Sequence, residues 1–134
     1  MNETRPVEFV ATVLGAHAIP EEFARAPEQY VALVIHEMLP TVAEEKLAEY
    51  CDIFCERGYF DLADAERILR AAQEHGLGLR MHVDQLTNSG GAFLAARLGA
   101  ATADHLKQTN DAESAAMVEA KVQPVLVPAS VSSL

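Results

Sequence analysis

The stretch CDIFCERGYFDLADAERILRAAQEHGLGLRMHV, residues 51–83, contains one complete strand–helix–strand unit and decides the fold class. Its two ends, CDIFC (residues 51–55) and LRMHV (residues 79–83), are short apolar runs typical of buried strands. Between them, Asp61 is a predicted helix N-cap and Gly76 a predicted helix end. The apolar residues between these two recur at three- and four-residue steps: Leu62, Ala65, Ile68, Leu69 and Ala72. A unit of about 30 residues in this order is typical of parallel sheets with right-handed crossovers.

The same alternation continues on the N-terminal side. Residues 7–15, VEFVATVLG, are rich in β-branched residues and predict a first strand. A helical pattern follows from about residue 21 to about residue 49. Pro40 interrupts this pattern. Because proline lacks an N–H but fits the first turn of a helix, we expect two helices that meet near Leu39.

Two further units follow on the C-terminal side. A helix of small residues is predicted over residues 92–98, and a short strand over residues 101–105. Asp111 is the predicted cap of a helix that runs to about Ala120. The last predicted strand is VQPVLV, residues 122–127.

Five strands separated by four helical segments predict an α/β fold with a parallel sheet. The two candidate architectures are an open doubly wound sheet and part of a (β/α) barrel. A complete eight-stranded barrel needs at least about 200 residues, and this chain has 134. We therefore expect a partial TIM-type barrel of about five strands. It would have open edges at residues 7–14 and 122–127, and open edges promote self-association or pairing with a partner chain.

Composition narrows the range of functions. The chain is long enough for one domain, and its 10 basic against 20 acidic residues give a net charge of -10. Such a charge disfavours binding to nucleic acid and to anionic membranes. The N-terminus lacks the pattern of a signal peptide, and two cysteines are too few for a disulfide scaffold. We expect a cytoplasmic protein without a membrane span.

Histidines follow or end three of the predicted strands: His17, His82 and His105. Ligands of parallel α/β folds bind at the carboxyl ends of the strands. Since neighbouring strands lie about 4.8 Å apart, these side chains can converge on one ligand. Imidazole is a common metal ligand, and a bound divalent metal supplies hydroxide at neutral pH, which suits hydrolysis. The alternative for each of them is a strand-end histidine that bonds a loop carbonyl or water.

Other polar residues near the strand ends admit simpler interpretations. We expect Glu56 to pair with a neighbour such as Arg57 or to be hydrated. Asp84 and Asp104 are candidates for orienting histidines, with turn formation as the alternative for Asp84. We interpret the pair Gly90-Gly91 as close packing in a tight turn rather than as an anion site. Exposed positions on helices are expected for His36 and His75, and buried thiols for Cys51 and Cys55.

Four segments of the chain resemble a known family. They are LGAHAIPEEF, DIFCERGYF, LRMHVDQLTNSGGAFLAARLGAATADHL and PVLVPAS. Together they are similar to the middle of imidazolonepropionase, a metal-dependent amidohydrolase of histidine degradation. The resemblance extends from about Arg5 to Ser130, and the sequence His-x-Asp-Gln-Leu-x-Asn-x-Gly-Gly followed by Ala-Asp-His-Leu is specific in combination.

The resemblance implies a (β/α) barrel that binds one Zn or Fe ion. It implies hydrolysis of the ring C–N bond of 4-imidazolone-5-propanoate to N-formimidoyl-L-glutamate. By motif match, His82 would be a metal ligand and His105 the histidine that deprotonates the attacking water. His17 and Gln85 would contact the substrate. Because residue 85 is a glutamine, it cannot act as a general base.

Two parts of the family pattern are not in this sequence. The His-x-His pair of the first barrel strand and the Asp ligand of the last strand have no counterpart. We therefore expect an internal segment of the barrel, residues 1–134, that lacks the first and last strands and has no activity alone. A non-catalytic module that pairs through its open edges is the alternative. A third hypothesis is a rearranged site built from His17, His82 and His105 alone.

Overall fold

A parallel sheet of five strands forms the centre of the structure, a computed structural model that describes residues 7–128. The strands lie in the order in which they occur in the chain. They are β1 (Thr12–Ala16), β2 (Tyr50–Cys55), β3 (Gly78–Val83), β4 (Thr102–His105) and β5 (Gln123–Val125). Right-handed crossovers between strands in sequential order place all the helices on one face. This order confirms the α/β class and is consistent with part of a TIM-type barrel, whereas a doubly wound sheet reverses its strand order at a switch point.

Helical segments connect the strands. The connection from β1 to β2 contains a short 3₁₀ turn (Glu21–Phe23), α1 (Pro27–Leu33), a π turn (Val34–Met38) and α2 (Leu39–Glu44). The later connections contain α3 (Leu62–Glu74), α4 (Gly91–Leu98) and α5 (Asp111–Ala120). None of the helices within residues 7–128 is both long enough and apolar enough to cross a membrane.

Pro40 accounts for the π turn between α1 and α2. The N–H of Leu39 donates to the carbonyl of Val34, five residues back, instead of the usual four. Proline has no N–H to continue the α-helical pattern, so the widened turn lies directly before it. The predicted start of a second helix at Leu39 is confirmed, but the two helices are joined by this turn rather than separated.

The boundaries of the outer elements differ from the sequence prediction. β1 begins at Thr12 and not at residue 7, because within residues 7–128 it pairs with β2, and this pairing begins at Thr12 and Tyr50. β5 is only three residues long, since it pairs with a β4 of four residues. The N-cap of α5 is Asn110 rather than Asp111: its side chain accepts from the N–H of Glu113, and Glu113 bonds back to the N–H of Asn110.

The core lies between the sheet and the helices. In β3, Leu79, Met81 and Val83 are buried beneath the helices, whereas Arg80 and His82 lie half-buried on the opposite, helix-free face. The predicted apolar face of α3 is buried except for Leu62, which is 40% exposed. The thiols of the two cysteines are free and buried, as predicted, and burial raises the pKa of each to about 12: Cys51 and Cys55.

Gly91, at the start of α4, packs directly against β3. A Cβ at this position would lie 2.6 Å from Cγ1 and 2.7 Å from Cβ of Val83, so the predicted close packing is confirmed. We expect Gly91→Ala to lower the free energy of unfolding by about 1–3 kcal/mol in urea denaturation, because the strand must move. Gly15→Ala is the matched control, since its Cβ would meet only the flexible Met38 side chain, at 3.1 Å from Sδ. Equal losses in the two variants would contradict the packing argument.

Candidate metal and catalytic site

Three imidazole rings meet at the carboxyl end of the sheet. His17 directly follows β1, His82 is the penultimate residue of β3, and His105 is the last residue of β4. The ring centroids of His17 and His82 are 4.8 Å apart, and those of His82 and His105 are 5.2 Å apart. The predicted convergence of these histidines from separate strands is therefore confirmed.

The position of the His105 ring depends on an unusual backbone conformation. His105 pairs with Val83, whose side chain is buried beneath the helices, so regular strand geometry would direct His105 to that side too. Instead His105 has φ of 74° and Leu106 has φ of 56°, both in the left-handed region. The turn brings the His105 ring to His82 on the other face. Left-handed backbone at a non-glycine residue is costly and clusters at functional sites.

Asp52 joins two of the histidines and was missed by the sequence reasoning. Its Oδ1 lies 2.9 Å from Nδ1 of His82 and 3.2 Å from Nε2 of His17. The side chain lies in the middle of β2, and the residue is only 4% exposed. One sign of this role is visible in the sequence, which is a carboxylate within an apolar strand. A buried carboxylate requires a hydrogen-bonding or charged partner.

The ionisable groups of this cluster shift one another's pKa values. Burial opposes ionisation of Asp52, but the hydrogen bonds from the two histidines outweigh it and hold its pKa below the usual value. The hydrogen bond to Asp52 in turn raises the pKa of His82. His105 differs: burial, followed by the nearby His82, lowers its pKa and favours the neutral imidazole.

Two buried polar atoms near His82 have no hydrogen-bond partner within residues 7–128. They are Oδ1 of Asp104 and Nδ1 of His105. The other oxygen of Asp104, Oδ2, lies 3.9 Å from Nε2 of His82. Buried polar groups are normally satisfied, so these atoms indicate a place for a ligand, a water or further polypeptide.

Glu56 does not pair with the Arg57 side chain, contrary to expectation. The residue is 1% exposed and accepts hydrogen bonds from the backbone of Arg57 and Leu86 and from the backbone and hydroxyl of Thr87. Burial opposes its ionisation, but these bonds outweigh it and lower its pKa. Glu56 therefore fixes the loop after β3, which carries Gln85.

Asp84 also serves the loop rather than a histidine. Its carboxylate accepts from the N–H of Ser89 at 3.2 Å and from the hydroxyl of Thr109 at 3.0 Å, and its φ is 50°. This confirms the turn-forming interpretation. Asn88 connects the same loop to the start of α5 through Glu113, at 2.6 Å.

The donor set fits a metal ion. The ligand atoms of His17, Asp52 and His82 all lie within 4.8 Å of one another. Imidazole nitrogen and carboxylate oxygen suit both Zn and Fe. The unpartnered atoms of Asp104 and His105 lie beside the same ring, so this end of the sheet presents a concentrated set of metal-binding and proton-accepting groups.

The chain is similar to known proteins over nearly its whole length. The chain is 58% identical over 134 residues to imidazolonepropionase of Solibacter usitatus, a match to the whole chain and 32% of that protein. It is 48% identical over 128 residues to imidazolonepropionase of Alkaliphilus metalliredigens, covering 96% of the chain and 30% of the relative. The corresponding protein of Bacteroides thetaiotaomicron is 45% identical over 133 residues, 99% of the chain and 32% of the relative. The chain matches a segment of imidazolonepropionase. No protein-family model matches it.

The chain spans about a third of the length of the curated imidazolonepropionases it matches. Four residues were assigned roles from the imidazolonepropionase motifs, and the structure brings three of them together: His17, His82 and His105. Gln85 lies half-buried in the loop after β3, and its side chain makes no hydrogen bond to another residue of the described range 7–128. His36 and His75 are exposed on their helices, as predicted.

Proposed function

We propose that the chain supplies one section of the active site of an imidazolonepropionase. This hydrolase opens the ring of 4-imidazolone-5-propanoate with water and gives N-formimidoyl-L-glutamate. The convergence of His17, His82 and His105 at one end of the sheet carries the proposal. The identity of 45–58% to imidazolonepropionases over nearly the whole chain supports it.

His82 would be this chain's ligand for one Zn or Fe ion. The remaining ligands, a His-x-His pair and an Asp, would come from polypeptide before and after this segment of the barrel. A metal bound there lowers the pKa of water and so makes hydroxide available near neutral pH. The hydrogen bond from His82 to Asp52 holds the ring in place for this role.

His105 would be the proton acceptor. Because its pKa is lowered, the ring is neutral and can take a proton from the attacking water. The water oxygen bonds to the ring carbonyl carbon, the C–N bond breaks, and the released nitrogen takes the proton back. His17 and Gln85 would contact the substrate ring. Gln85 can donate and accept hydrogen bonds but cannot act as a base.

The test is reassembly of a complete barrel. The chain is coexpressed with the N-terminal and C-terminal segments of the Solibacter usitatus relative, and we call the product the reassembled enzyme. We expect it to convert 4-imidazolone-5-propanoate to N-formimidoyl-L-glutamate, identified by mass spectrometry, and the chain alone with Zn²⁺ to show no turnover. Turnover by the chain alone would contradict this account of its ligands and favour a rearranged site of three histidines.

Within residues 7–128, β1 and β5 each pair with a strand on one side, which supports a second candidate function, a module that pairs with another chain. Apolar grooves flank both outer strands on the helix side, about 370 Å³ beside β1 and 250 Å³ beside β5. Leu14 and Leu126, at the two edges, are 55% and 68% exposed. Unpaired parallel edges with apolar surroundings promote association.

We expect the chain alone to self-associate. In sedimentation velocity its average mass should rise with concentration, and Leu126→Lys should weaken this dependence by placing a charge beside β5. Phe93→Lys is the matched control, since Phe93 is exposed on α4 in the outer helix layer. A monomer at every concentration would contradict the prediction.

A further inference from the structure

A single carboxylate oxygen lies between two of the three histidines. We infer that Asp52 is the positioning residue of the site: it holds His82 and His17 by one oxygen and leaves Nε2 of His82 free to face the ligand. The inference rests on the proposed function in taking His82 as the metal ligand. It adds which nitrogen of His82 does this and which residue decides it.

The contacts with Asp52 decide which nitrogens of His82 and His17 carry a hydrogen. Oδ1 of Asp52 lies 2.9 Å from Nδ1 of His82 and 3.2 Å from Nε2 of His17. An ionised carboxylate only accepts hydrogen bonds, so both contacting nitrogens carry a hydrogen. The nitrogens left without a hydrogen in the neutral rings are therefore Nε2 of His82 and Nδ1 of His17.

The two nitrogens of His82 face different carboxylates. Nε2 of His82 is on the side of Asp104, whose Oδ2 lies 3.9 Å away, and the ring centroid of His105 lies 5.2 Å from that of His82. The free nitrogen thus faces Asp104, and the protonated nitrogen faces Asp52. A metal-binding histidine usually donates its other N–H to a carboxylate in this way, which fixes the tautomer and increases the basicity of the ligand.

The pairing of β2 with β3 holds Asp52 beside His82. Asp52 pairs with Arg80, and Phe54 pairs with His82, so Asp52 is the diagonal neighbour of His82 on the same face of adjacent strands. A carboxylate on a central strand has little freedom to move, and the residue is 4% exposed. Sites held by strands are more precise than sites held by loops.

The competing arrangement makes Asp52 a direct ligand together with His17 and His82. The distances among their ligand atoms, all within 4.8 Å, permit it. An ion bound between Asp52 and His82 would replace the hydrogen on Nδ1 of His82, the nitrogen that faces Asp52. The two arrangements therefore differ in the nitrogen of His82 that binds the ion.

Imidazole ¹⁵N NMR of the chain distinguishes the two arrangements. At a pH where the rings are neutral, we expect His82 to be protonated on Nδ1 alone. Asp52→Ala should shift it to a mixture of tautomers. Asp52→Val, whose side chain cannot accept a hydrogen bond, should do the same and serves if the alanine variant fails to fold. Asp111→Asn, at an exposed residue of α5, is the control and should leave the His82 tautomer unchanged. A His82 tautomer that is unaffected in both Asp52 variants would overturn the inference.

Titration of the reassembled enzyme with Zn²⁺, followed by the same imidazole ¹⁵N resonances, tests which nitrogen of His82 binds the ion. We expect the Nε2 resonance of His82 to move while the Nδ1 hydrogen remains, and Asp52→Asn to weaken zinc binding about 10- to 100-fold. Loss of the Nδ1 hydrogen on adding zinc would overturn the inference in favour of the direct-ligand arrangement. If the tautomer depends on Asp52 but zinc leaves His82 unshifted, the positioning role stands and the proposed metal ligand is wrong.

Discussion

Replacing His105 by glutamine in the reassembled enzyme is expected to lower kcat by about 10²–10⁴-fold. The glutamine side chain preserves hydrogen bonding but cannot accept a proton. The structure gives His105 the properties of a base: its pKa is lowered by burial and by His82, and its Nδ1 is buried without a partner within residues 7–128. Steady-state rates of ring opening measure the effect.

The control for this variant is His75→Gln, a histidine exposed at the end of α3 and far from the carboxyl end of the sheet. It should leave kcat unchanged. KM should change little in His105→Gln, since the residue is assigned to proton transfer rather than to binding. A kcat that falls less than tenfold would show that another group accepts the proton.

Replacing Glu56 by alanine is expected to lower the free energy of unfolding by about 2–4 kcal/mol. The change leaves three donors of the loop after β3 without an acceptor: the N–H groups of Leu86 and Thr87 and the Thr87 hydroxyl. Each unsatisfied buried donor costs about 1–3 kcal/mol, and partial exposure of the loop lowers the sum. Urea denaturation of the chain measures it, with the exposed Glu44→Ala as the control.

The same carboxylate predicts a pH dependence. The folded pKa of Glu56 lies below its ordinary value of 4.5. Its ionised form therefore stabilises the fold at pH values above 4.5, and this contribution is lost as the pH falls through the folded pKa. The stability difference between the native chain and Glu56→Gln should be full at pH 7 and shrink below about pH 4.5. A difference that is the same at both pH values would contradict the assignment.

Much of the fold could be predicted because it depends on local patterns. The alternation of apolar runs with helical periodicity identified five strands, and strand ends identified three histidines. The extent of the outer strands could not be predicted, because it depends on their partners. Residues 7–11 have the composition of a strand, but the pairing of β1 with β2 begins only at Thr12 and Tyr50.

The missed parts of the site depend on contacts between distant segments. Asp52 reaches His82 because β2 and β3 pair in the register that places them diagonally, and this register depends on both strands and their connection rather than on the residues of one strand. Glu56 accepts a hydrogen bond from Thr87, which lies 31 residues later in the sequence. The ring of His105 is placed by two successive residues in the left-handed region, His105 and Leu106, and this conformation is uncommon for a residue such as leucine.

The proposed metal centre lies among three histidines of this chain and is completed by other polypeptide. NMR of the reassembled enzyme loaded with Co²⁺ tests it most directly, because a paramagnetic ion shifts the resonances of nuclei close to it. We predict that the imidazole resonances of His17, His82 and His105 are all strongly shifted, while those of His36 and His75 are not. Unshifted resonances of His17 or His105 would contradict this placement.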